Sequence, residues 1–200
     1  MRVAVLVSGN GTNLQALIDH PDLHAQIVLV GCNRADAPAI ERARRAAIPV
    51  CVVDRTSVPR RSDRQRMLLE SLRAHAVDLL VLAGFDEILT PDLVQAYANR
   101  LINTHPSLLP AFGKTMHAVQ AALDHGVKVT GATVHLVTDD LDGGPILLQA
   151  CVPVEPGDTE ATLHERILEQ EHRLLPAAVK AFAEGRVVIE GQRARVIRST

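Results

Sequence analysis

Apolar and polar positions divide the first half of the chain into short apolar runs that alternate with amphipathic segments. The apolar runs are VAVLV at 3–7, IVLVGC at 27–32, VCVV at 50–53 and DLLVLAG at 78–84. Helical spacing predicts helices at 12–19, 36–47, 63–75 and 91–98. Strands that are apolar throughout are typical of sheets covered by helices on both faces. The order predicts an α/β fold with a Rossmann-like, mostly parallel central sheet.

The pattern changes after residue 100. Further strands are predicted at 101–105, 129–137 and 146–154, with a short helix at 114–125 and antiparallel additions to the sheet. A long helix should begin near Thr159, and Pro176 should bend or split it. The tail predicts a hairpin around Glu190-Gly191-Gln192. We predict one domain, 1–200, that the change of pattern divides into two halves, 1–100 and 101–200.

Composition disfavours several classes of function. The formal net charge of −2 favours neither nucleic acid nor a membrane surface as a partner. Cys32, Cys51 and Cys151 are too far apart for a metal or redox motif, and we expect all three to be buried apolar residues in a reducing compartment. No stretch reaches the roughly 20 apolar residues of a membrane span, and no signal peptide is evident. We expect a cytoplasmic protein without a metal.

The segment Ser8–Asn13, SGNGTN, joins the first strand to the first helix. Its two glycines permit a tight turn, and the helix N-terminus adds N–H groups and partial positive charge, so the loop predicts a phosphate site. A dinucleotide fingerprint needs a third glycine where Leu14 stands. Arg34 would nevertheless suit the 2′-phosphate of NADP. A dinucleotide site and a plain glycine-rich turn are the alternatives.

Asn103 and His105 stand at the end of the predicted strand 101–105. Side chains alternate along a strand, so the two point the same way, and Pro106 favours an extended His105. Ligands of such sheets bind at the carboxyl ends of strands. An amide can donate to a developing oxyanion and an imidazole can move a proton, so the pair suits acyl transfer. A purely structural histidine is the alternative.

An acidic loop, Asp139–Asp142, precedes Gly143-Gly144-Pro145. These turn residues make a tight loop whose backbone can approach a ligand. A carboxylate of Asp142 beside His105 would favour the protonated imidazole or take a proton through a water. A solvated acidic turn is the alternative, and the spacing does not match a calcium loop. His135 shares a strand face with Thr133 and either lines the pocket or is simply buried.

Glu171 falls in the inward register of the long helix, together with Leu163, Ile167, Leu174 and Ala178. A buried carboxylate is costly unless it is paired. A ligand amine and a buried arginine are equally good partners for it on these grounds.

Three motifs together resemble one enzyme family. SGNGTN at 8–13, NTHPSLLP at 103–110 and GATVHLVTDDLDGGPILLQ at 131–149 are similar, in this order and spacing, to the phosphoribosylglycinamide formyltransferases of purine synthesis. The resemblance spans roughly residues 2–185. The second and third motifs are shared more loosely with other formyltetrahydrofolate enzymes, and the first loop separates this family from them.

The resemblance implies a formyltransferase fold and a direct transfer, in which the amine of glycinamide ribonucleotide attacks the formyl carbon of the co-substrate 10-formyltetrahydrofolate. Asn103 and His105 would stabilise the oxyanion, with His105 as proton donor, and Asp142 would hold His105 charged. The remaining implied roles are phosphate binding by Gly11, Thr12 and Asn13, glycinamide binding by Glu171, and support by Thr133 and His135. The residues implied to border the folate are Arg66, Asp86, Glu87, Ile88, Leu89, Asn103, Thr138, Asp139, Asp140 and Leu141. The first half (1–100) would bind the phosphate, and the second half (101–200) would be catalytic and bind the folate. A monomer or homodimer is expected.

Two segments depart from the family pattern. Met-Arg often follows Ala-Gly-Phe in the family, whereas Asp86-Glu87 follow Phe85 here, which leaves the pterin contacts open. The segment Ala111–His117 replaces the commoner Pro-Gly-x-His form, although Lys114 would supply a cation for phosphate.

Other functions are compatible with parts of the sequence. A formyltetrahydrofolate deformylase uses water in place of the amine, but similar deformylases carry an N-terminal regulatory domain that we do not expect here. A formyltransferase for initiator tRNA would need a C-terminal RNA-binding domain and a basic surface. An NADP-dependent reductase and a non-catalytic nucleotide-binding module are the alternatives from other classes. Binding of NADPH would indicate the reductase, and an unimportant His105 would indicate the binding module.

Overall fold

A computed structural model describes residues 1–197 of the chain. Within it the chain divides into two compact units, one of Met1–Ile102 and one that begins at Asn103. The predicted domain, 1–200, extends to residues 198–200, which lie outside the described residues, and its division into two functional halves stays a prediction.

The first unit is built from parallel strands joined by helices. Its elements, in chain order, are β1 (Arg2–Val7), α1 (Thr12–Ile18), β2 (Gln26–Cys32), α2 (Pro38–Arg45), β3 (Val50–Val52), α3 (Arg61–Ala74), β4 (Leu79–Leu82), α4 (Pro91–Ala96) and the start of β5 (Leu101–His105). β1 pairs in parallel with β2 and with β4, and β2 pairs in parallel with β3. All of β4, and β1 from Val3 onward, is buried, which explains why these strands are apolar on both faces.

The position of β1 creates a switch point in the first unit. β1 lies between β2 and β4, so the chain leaves β1 in one direction for β2 and β3 and returns on the other side as β4. In sheets of this kind the loops after the two strands at the switch point form a crevice for ligands. Here those loops are residues 8–11 and 83–90.

The second unit combines an antiparallel strand pair with a long helix. Its elements after β5 are α5 (Ala118–His125), β6 (Val129–Leu136), β7 (Ile146–Pro153), α6 (Glu160–Ala183), β8 (Val187–Glu190) and β9 (Arg193–Val196). β6 and β7 pair antiparallel, and α6 packs on both strands. The buried cluster between them comprises Val119, Ala132, Val152, Leu163 and Ile167. The predicted hairpin around Gly191 is confirmed.

Seven strands form one sheet in the order β3-β2-β1-β4-β5-β6-β7, and β8 and β9 form a separate hairpin. The expected α/β class, with a mostly parallel sheet flanked by helices, is confirmed.

One predicted helix differs from that observed. The helix expected at 114–125 begins only at Ala118, because Lys114 has a φ of 61° and His117 has φ −120° and ψ 41°, which a right-handed helix does not allow. Of the two outcomes expected at Pro176, a bend or a split, the split does not occur, since α6 runs unbroken. The N-terminus of α6 is as predicted, since the Thr159 side chain accepts from the Thr162 N–H in a capping box.

The expectation of three buried cysteines was wrong for two of them. Cys32 is buried, but Cys51 is partly exposed and Cys151 is exposed. Cys51 lies on β3 and Cys151 on β7, the two outer strands of the sheet, where side chains are less covered than on the central strands. Across residues 1–197, no helix combines the length and apolar character needed to cross a bilayer.

Candidate active site

The end of β5 presents polar side chains on both faces of the strand. Asn103 and His105 point to one face, and Thr104 points to the other, as strand alternation requires. The Asn103 amide nitrogen lies 3.2 Å from Nε2 of His135 on β6. On the opposite face the Thr104 hydroxyl donates to Oε1 of Glu171 on α6 at 3.1 Å. Glu171 is only 4% exposed, so the inward position predicted for it is confirmed.

His135 is a buried, neutral partner of Asn103. Its Nδ1 lies 2.9 Å from the carbonyl oxygen of Leu136, and the residue is 1% exposed. Burial lowers the pKa of His135 below its ordinary value, although the Leu136 carbonyl and Asp142 act in the opposite sense. A neutral ring that donates from Nδ1 accepts at Nε2. We therefore assign the Asn103 amide nitrogen as donor to His135, which orients the amide.

Asp142 lies between two imidazoles. Its Oδ2 is 3.8 Å from Nδ1 of His105, and its Oδ1 is 3.8 Å from Nε2 of His135. The main-chain N–H of Lys114 donates to Oδ2 at 2.7 Å. The Asp142 side chain is 10% exposed, so its charge acts in a poorly solvated place. The structure thus brings together Asn103, His105 and Asp142 at the end of β5.

His105 has an oxygen atom facing each ring nitrogen. Nε2 lies 3.0 Å from the carbonyl oxygen of Phe112, and Nδ1 faces the Asp142 carboxylate. A ring protonated on both nitrogens therefore finds an oxygen on each side. This arrangement suits a group that transfers a proton during a reaction.

The loop that carries Asp142 is held in a tight turn. Asp142 itself has a φ of 54°, in the left-handed region. A Cβ on Gly144 would lie 1.9 Å from the carbonyl oxygen of Leu136, so only glycine fits there. The outer residues of the loop, Asp139, Asp140 and Leu141, are exposed, while Thr138 is partly exposed and donates to the Asp140 carbonyl at 3.3 Å.

Lys114 belongs to the same region, but its ammonium group is engaged. Its Nζ lies 2.8 Å from Asp140 Oδ1, and this hydrogen bond raises the pKa of Lys114. The cation that the sequence suggested for a phosphate is therefore paired with a carboxylate of the acidic loop.

Thr133 lies on β6 and supports the loop that follows β5. Its hydroxyl donates to the carbonyl of Ser107 at 2.6 Å and accepts from the N–H of Leu109 at 3.1 Å. Gln149 donates to the same hydroxyl at 2.9 Å. Thr133 thus shapes the segment immediately after His105.

The glycine-rich loop of the first unit is packed closely against α2. Gly11 has a φ of 70°, and a Cβ there would lie 2.6 Å from the Cβ of Ala39. The Ala39 N–H donates to the Gly9 carbonyl at 3.2 Å, and Arg42 Nε donates to the Asn10 carbonyl at 2.8 Å. Thr12 and Asn13 open α1, where Asn13 is buried and Thr12 partly exposed.

The remaining candidates lie on α3 and on the 83–90 loop. Arg66 is exposed and contacts Asp63 at 3.3 Å. Ile88 is 58% exposed and Leu89 is buried. Arg34, considered above for a 2′-phosphate, is paired with Asp86 at 2.5 Å, which counts against a dinucleotide site.

Several contacts of this site could not be predicted from the sequence. The Phe112 carbonyl and the Lys114 N–H are main-chain groups, for which no side-chain pattern gives a signal. Thr104 is different, because its place between Asn103 and His105 on an alternating strand was visible and indicated a contact on the other face. Among residues 1–197, no group of three or more His, Cys, Asp or Glu side chains is arranged to hold a metal ion.

Comparison with known proteins identifies one family. Residues 1–179 match the formyl transferase family. The phosphoribosylglycinamide formyltransferase of Mycobacterium tuberculosis (strain CDC 1551 / Oshkosh) is 47% identical over 199 residues, covering 98% of this chain and 92% of that protein. The trifunctional purine biosynthetic protein adenosine-3 of Homo sapiens is 45% identical over 189 residues, which are 93% of this chain and 19% of that protein. The crystal structure of glycinamide ribonucleotide transformylase 1 from Symbiobacterium toebii matches with a TM-score of 0.94 and 47% identity, covering 99% of this chain and 94% of that one.

Proposed function

The chain belongs to the formyl transferase family, and on that premise we propose that it transfers the formyl group of 10-formyltetrahydrofolate to the amine of N1-(5-phosphoribosyl)glycinamide in purine biosynthesis. The observation that carries the proposal is the convergence of Asn103, His105 and Asp142 at the end of β5. These side chains supply an amide donor for an oxyanion and an imidazole and a carboxylate for proton transfer, which suit acyl transfer to an amine.

The reaction forms one carbon–nitrogen bond and breaks another. The amine attacks the formyl carbon, and the formyl oxygen takes negative charge as the carbon becomes tetrahedral. The bond to N10 of the folate then breaks, N10 receives a proton, and the former amine loses one. Catalysis therefore needs a donor for the oxyanion and a group that moves a proton.

Asn103 serves as oxyanion donor. One hydrogen of its amide group is directed to Nε2 of His135, and the second would donate to the oxyanion. Because His135 is buried and neutral, it holds the amide without competing for the oxyanion. A pre-oriented donor of this kind does not have to reorganise when charge develops.

His105 serves as proton donor, with Asp142 as its partner. The carboxylate at 3.8 Å stabilises the protonated ring, and the Lys114 N–H keeps the carboxylate in place. In a poorly solvated setting this charge pairing is stronger than it would be in water.

The binding roles follow the same proposal. Gly11, Thr12 and Asn13 bind the ribonucleotide phosphate, and Glu171 binds the glycinamide end. Support for the second role comes from the burial of Glu171 and its bond from Thr104, which fix the carboxylate in one orientation. The loops at 86–89 and 138–141, with Arg66, border the folate. The proposed chemistry uses protein side chains and the two small-molecule substrates.

The decisive experiment mixes the purified protein with 10-formyltetrahydrofolate and follows the release of tetrahydrofolate, with and without glycinamide ribonucleotide. We expect release only when the ribonucleotide is present. Equal release without it would mean that water is the acceptor and that the protein is a hydrolase. No release in either case would refute the proposal. A cytoplasmic location and a monomeric or dimeric state remain predictions.

A further inference from the structure

The loop between β4 and α4, residues 83–90, contains two acidic residues, Asp86 and Glu87, where the family often has Met-Arg. Their side chains are only 22% and 7% exposed. Two carboxylates with so little contact with water must be paired. Their partners show what the acidic pair does.

Glu87 is paired with a buried arginine. Arg64, at the start of α3, donates to Glu87 Oε2 from Nη2 at 2.6 Å and from Nε at 3.2 Å, and both side chains are 7% exposed. Nη1 of Arg64 donates to the carbonyls of Val58 and Pro59, at 2.6 and 2.7 Å. Arg64 is therefore fixed from two sides. If Glu87 turned towards a ligand, it would leave a buried guanidinium unpaired, which is strongly unfavourable.

Gln65 fixes the main chain after Glu87. Its Nε2 donates to Glu87 Oε1 and to the Ile88 carbonyl, both at 2.9 Å. Its Oε1 accepts from the Thr90 N–H at 2.6 Å. One side chain on α3 thus binds three points of the 83–90 loop.

Asp86 is held from the other side of the loop. Its Oδ1 accepts from Arg55 and from Asn33 Nδ2, the latter at 3.2 Å, and its Oδ2 accepts from Arg34. Arg55 also donates to the Asp86 carbonyl at 3.1 Å. Burial alone would raise the pKa of Asp86, but hydrogen bonds to Ser8, Asn33 and Arg34 and the charge of Arg55 lower it on balance. The carboxylate is charged, and it is bound by Asn33, Arg34 and Arg55, with Ser8 beside it.

The same loop is tied to the glycine-rich loop through Ser8. The Asp86 N–H donates to Ser8 Oγ at 3.0 Å, and the Ser8 N–H donates to the Gly84 carbonyl at 3.1 Å. These two bonds use the main chain of the 83–90 loop. The loop therefore lies at the switch point of the sheet with its acidic side chains directed into protein partners.

We propose that Asp86 and Glu87 are positioning residues, whose ion pairs hold the 83–90 loop in the shape that binds the formyl folate. Neither carboxylate contacts the folate. The inference rests on the proposed function, which places the folate beside this loop. It accounts for the presence of Asp86-Glu87 in place of the family's Met-Arg, because both carboxylates form ion pairs with arginines of the same unit and do not face the ligand.

Asp86→Asn tests the inference, with Arg55→Met as its partner variant. We expect Asp86→Asn to raise the KM for 10-formyltetrahydrofolate about tenfold, the scale of a lost charge-assisted hydrogen bond, with kcat and the KM for the ribonucleotide within about twofold of wild type. Arg55→Met should raise the same KM. The double variant should have a KM close to that of the more impaired single variant, because the two changes share the Arg55–Asp86 ion pair. Arg55 also lies 3.6 Å from Glu87 Oε2 and donates to the Asp86 carbonyl, so the rise in KM should fall well short of the product of the two single effects.

A direct contact between Asp86 and the folate makes the opposite prediction. Asp86→Asn would then raise the KM for folate while Arg55→Met left it unchanged, and that result would overturn the inference, as would an unchanged KM in Asp86→Asn. Asp92→Asn, an exposed carboxylate on α4, is the matched control for lost charge. Melting temperatures verify folding, and the half-exposed Arg34 provides a milder variant, Arg34→Met, if Asp86→Asn does not fold.

Direct binding separates failure of this inference from failure of the proposed function. The dissociation constant of 10-formyltetrahydrofolate is measured by equilibrium dialysis for wild type, Asp86→Asn and Arg55→Met. Weaker binding by both variants supports the inference even if turnover is not detected. Weaker binding by Asp86→Asn alone, or equal binding by all three proteins, overturns the inference alone, and no binding by wild type overturns both.

Discussion

Replacing Asp142 by asparagine tests the carboxylate–imidazole pair, because it removes one charge and preserves the shape of the side chain. The amide oxygen can still accept the Lys114 N–H, which lies 2.7 Å from Oδ2 in the wild type, so the turn at 112–114 keeps its anchor. What is lost is the attraction between the carboxylate and the protonated ring of His105. The variant therefore isolates the electrostatic contribution.

The size of the effect follows from the geometry. The charges are 3.8 Å apart, and the two side chains are 8% and 10% exposed. At that separation Coulomb's law gives about 4 kcal/mol for an effective dielectric constant of about 20, and about 2 kcal/mol for about 40. If the ring is protonated in the transition state, kcat should fall about 30- to 1,000-fold, since about 1.4 kcal/mol corresponds to a factor of ten.

The assay is the release of tetrahydrofolate with both substrates saturating, so that kcat is measured separately from binding. Asp124→Asn, an exposed carboxylate at the end of α5, is the matched control and should retain wild-type kcat. A folded Asp142→Asn protein with kcat within about twofold of wild type would show that His105 does not use this carboxylate, and the proposed proton donor would lose its main support.

Three further results are expected. Burial lowers the pKa of His135 below its ordinary 6.5, so the folded state binds fewer protons than the unfolded state, and the free energy of unfolding should fall as pH drops below that value. His135→Gln should reduce the difference between the free energies of unfolding at about pH 7.5 and about pH 5.5, measured by urea titrations. His172, whose pKa is also lowered, should account for the remaining difference. An undiminished difference between the two pH values would contradict the assignment. Glu171→Gln should raise the KM for the ribonucleotide about tenfold and leave that for the folate unchanged, whereas an equal rise in both would point to general disruption. Gly131→Ala places a Cβ 1.9 Å from the Ala150 carbonyl oxygen and should destabilise the protein by about 2 kcal/mol, measured as a melting temperature lower by about 4–8 °C; an unchanged melting temperature would mean that β6 and β7 relax freely.

Local patterns were sufficient for most of the architecture. The all-apolar runs at 3–7 and 78–84 could be assigned to buried parallel strands because burial of both faces requires it, and β1 and β4 are buried as expected. The start of α6 was equally clear, since the Thr159 cap works through neighbours in sequence.

Predictions of local structure failed where contacts between distant parts of the chain determine it. The segment 114–117 has helical composition, but its main chain turns so that Lys114 can donate to Asp142, which lies 28 positions away. A split at Pro176 was one of the two outcomes expected for α6, but the helix continues through the buried residues Leu175, Pro176 and Ala178. Cys151 is apolar enough for a core and is exposed because β7 is the last strand of the sheet.

The sequence by itself determined the α/β class, the candidate acyl-transfer groups at the end of β5 and the inward position of Glu171, because periodicity and strand alternation are local properties. Only the tertiary structure decided that His135 joins Asn103 and Asp142, that Thr104 binds Glu171, and that Asp86 and Glu87 face arginines. Those contacts depend on pairings between residues far apart in the chain. Residue type alone states which groups need a partner, and the fold determines which partner each one has.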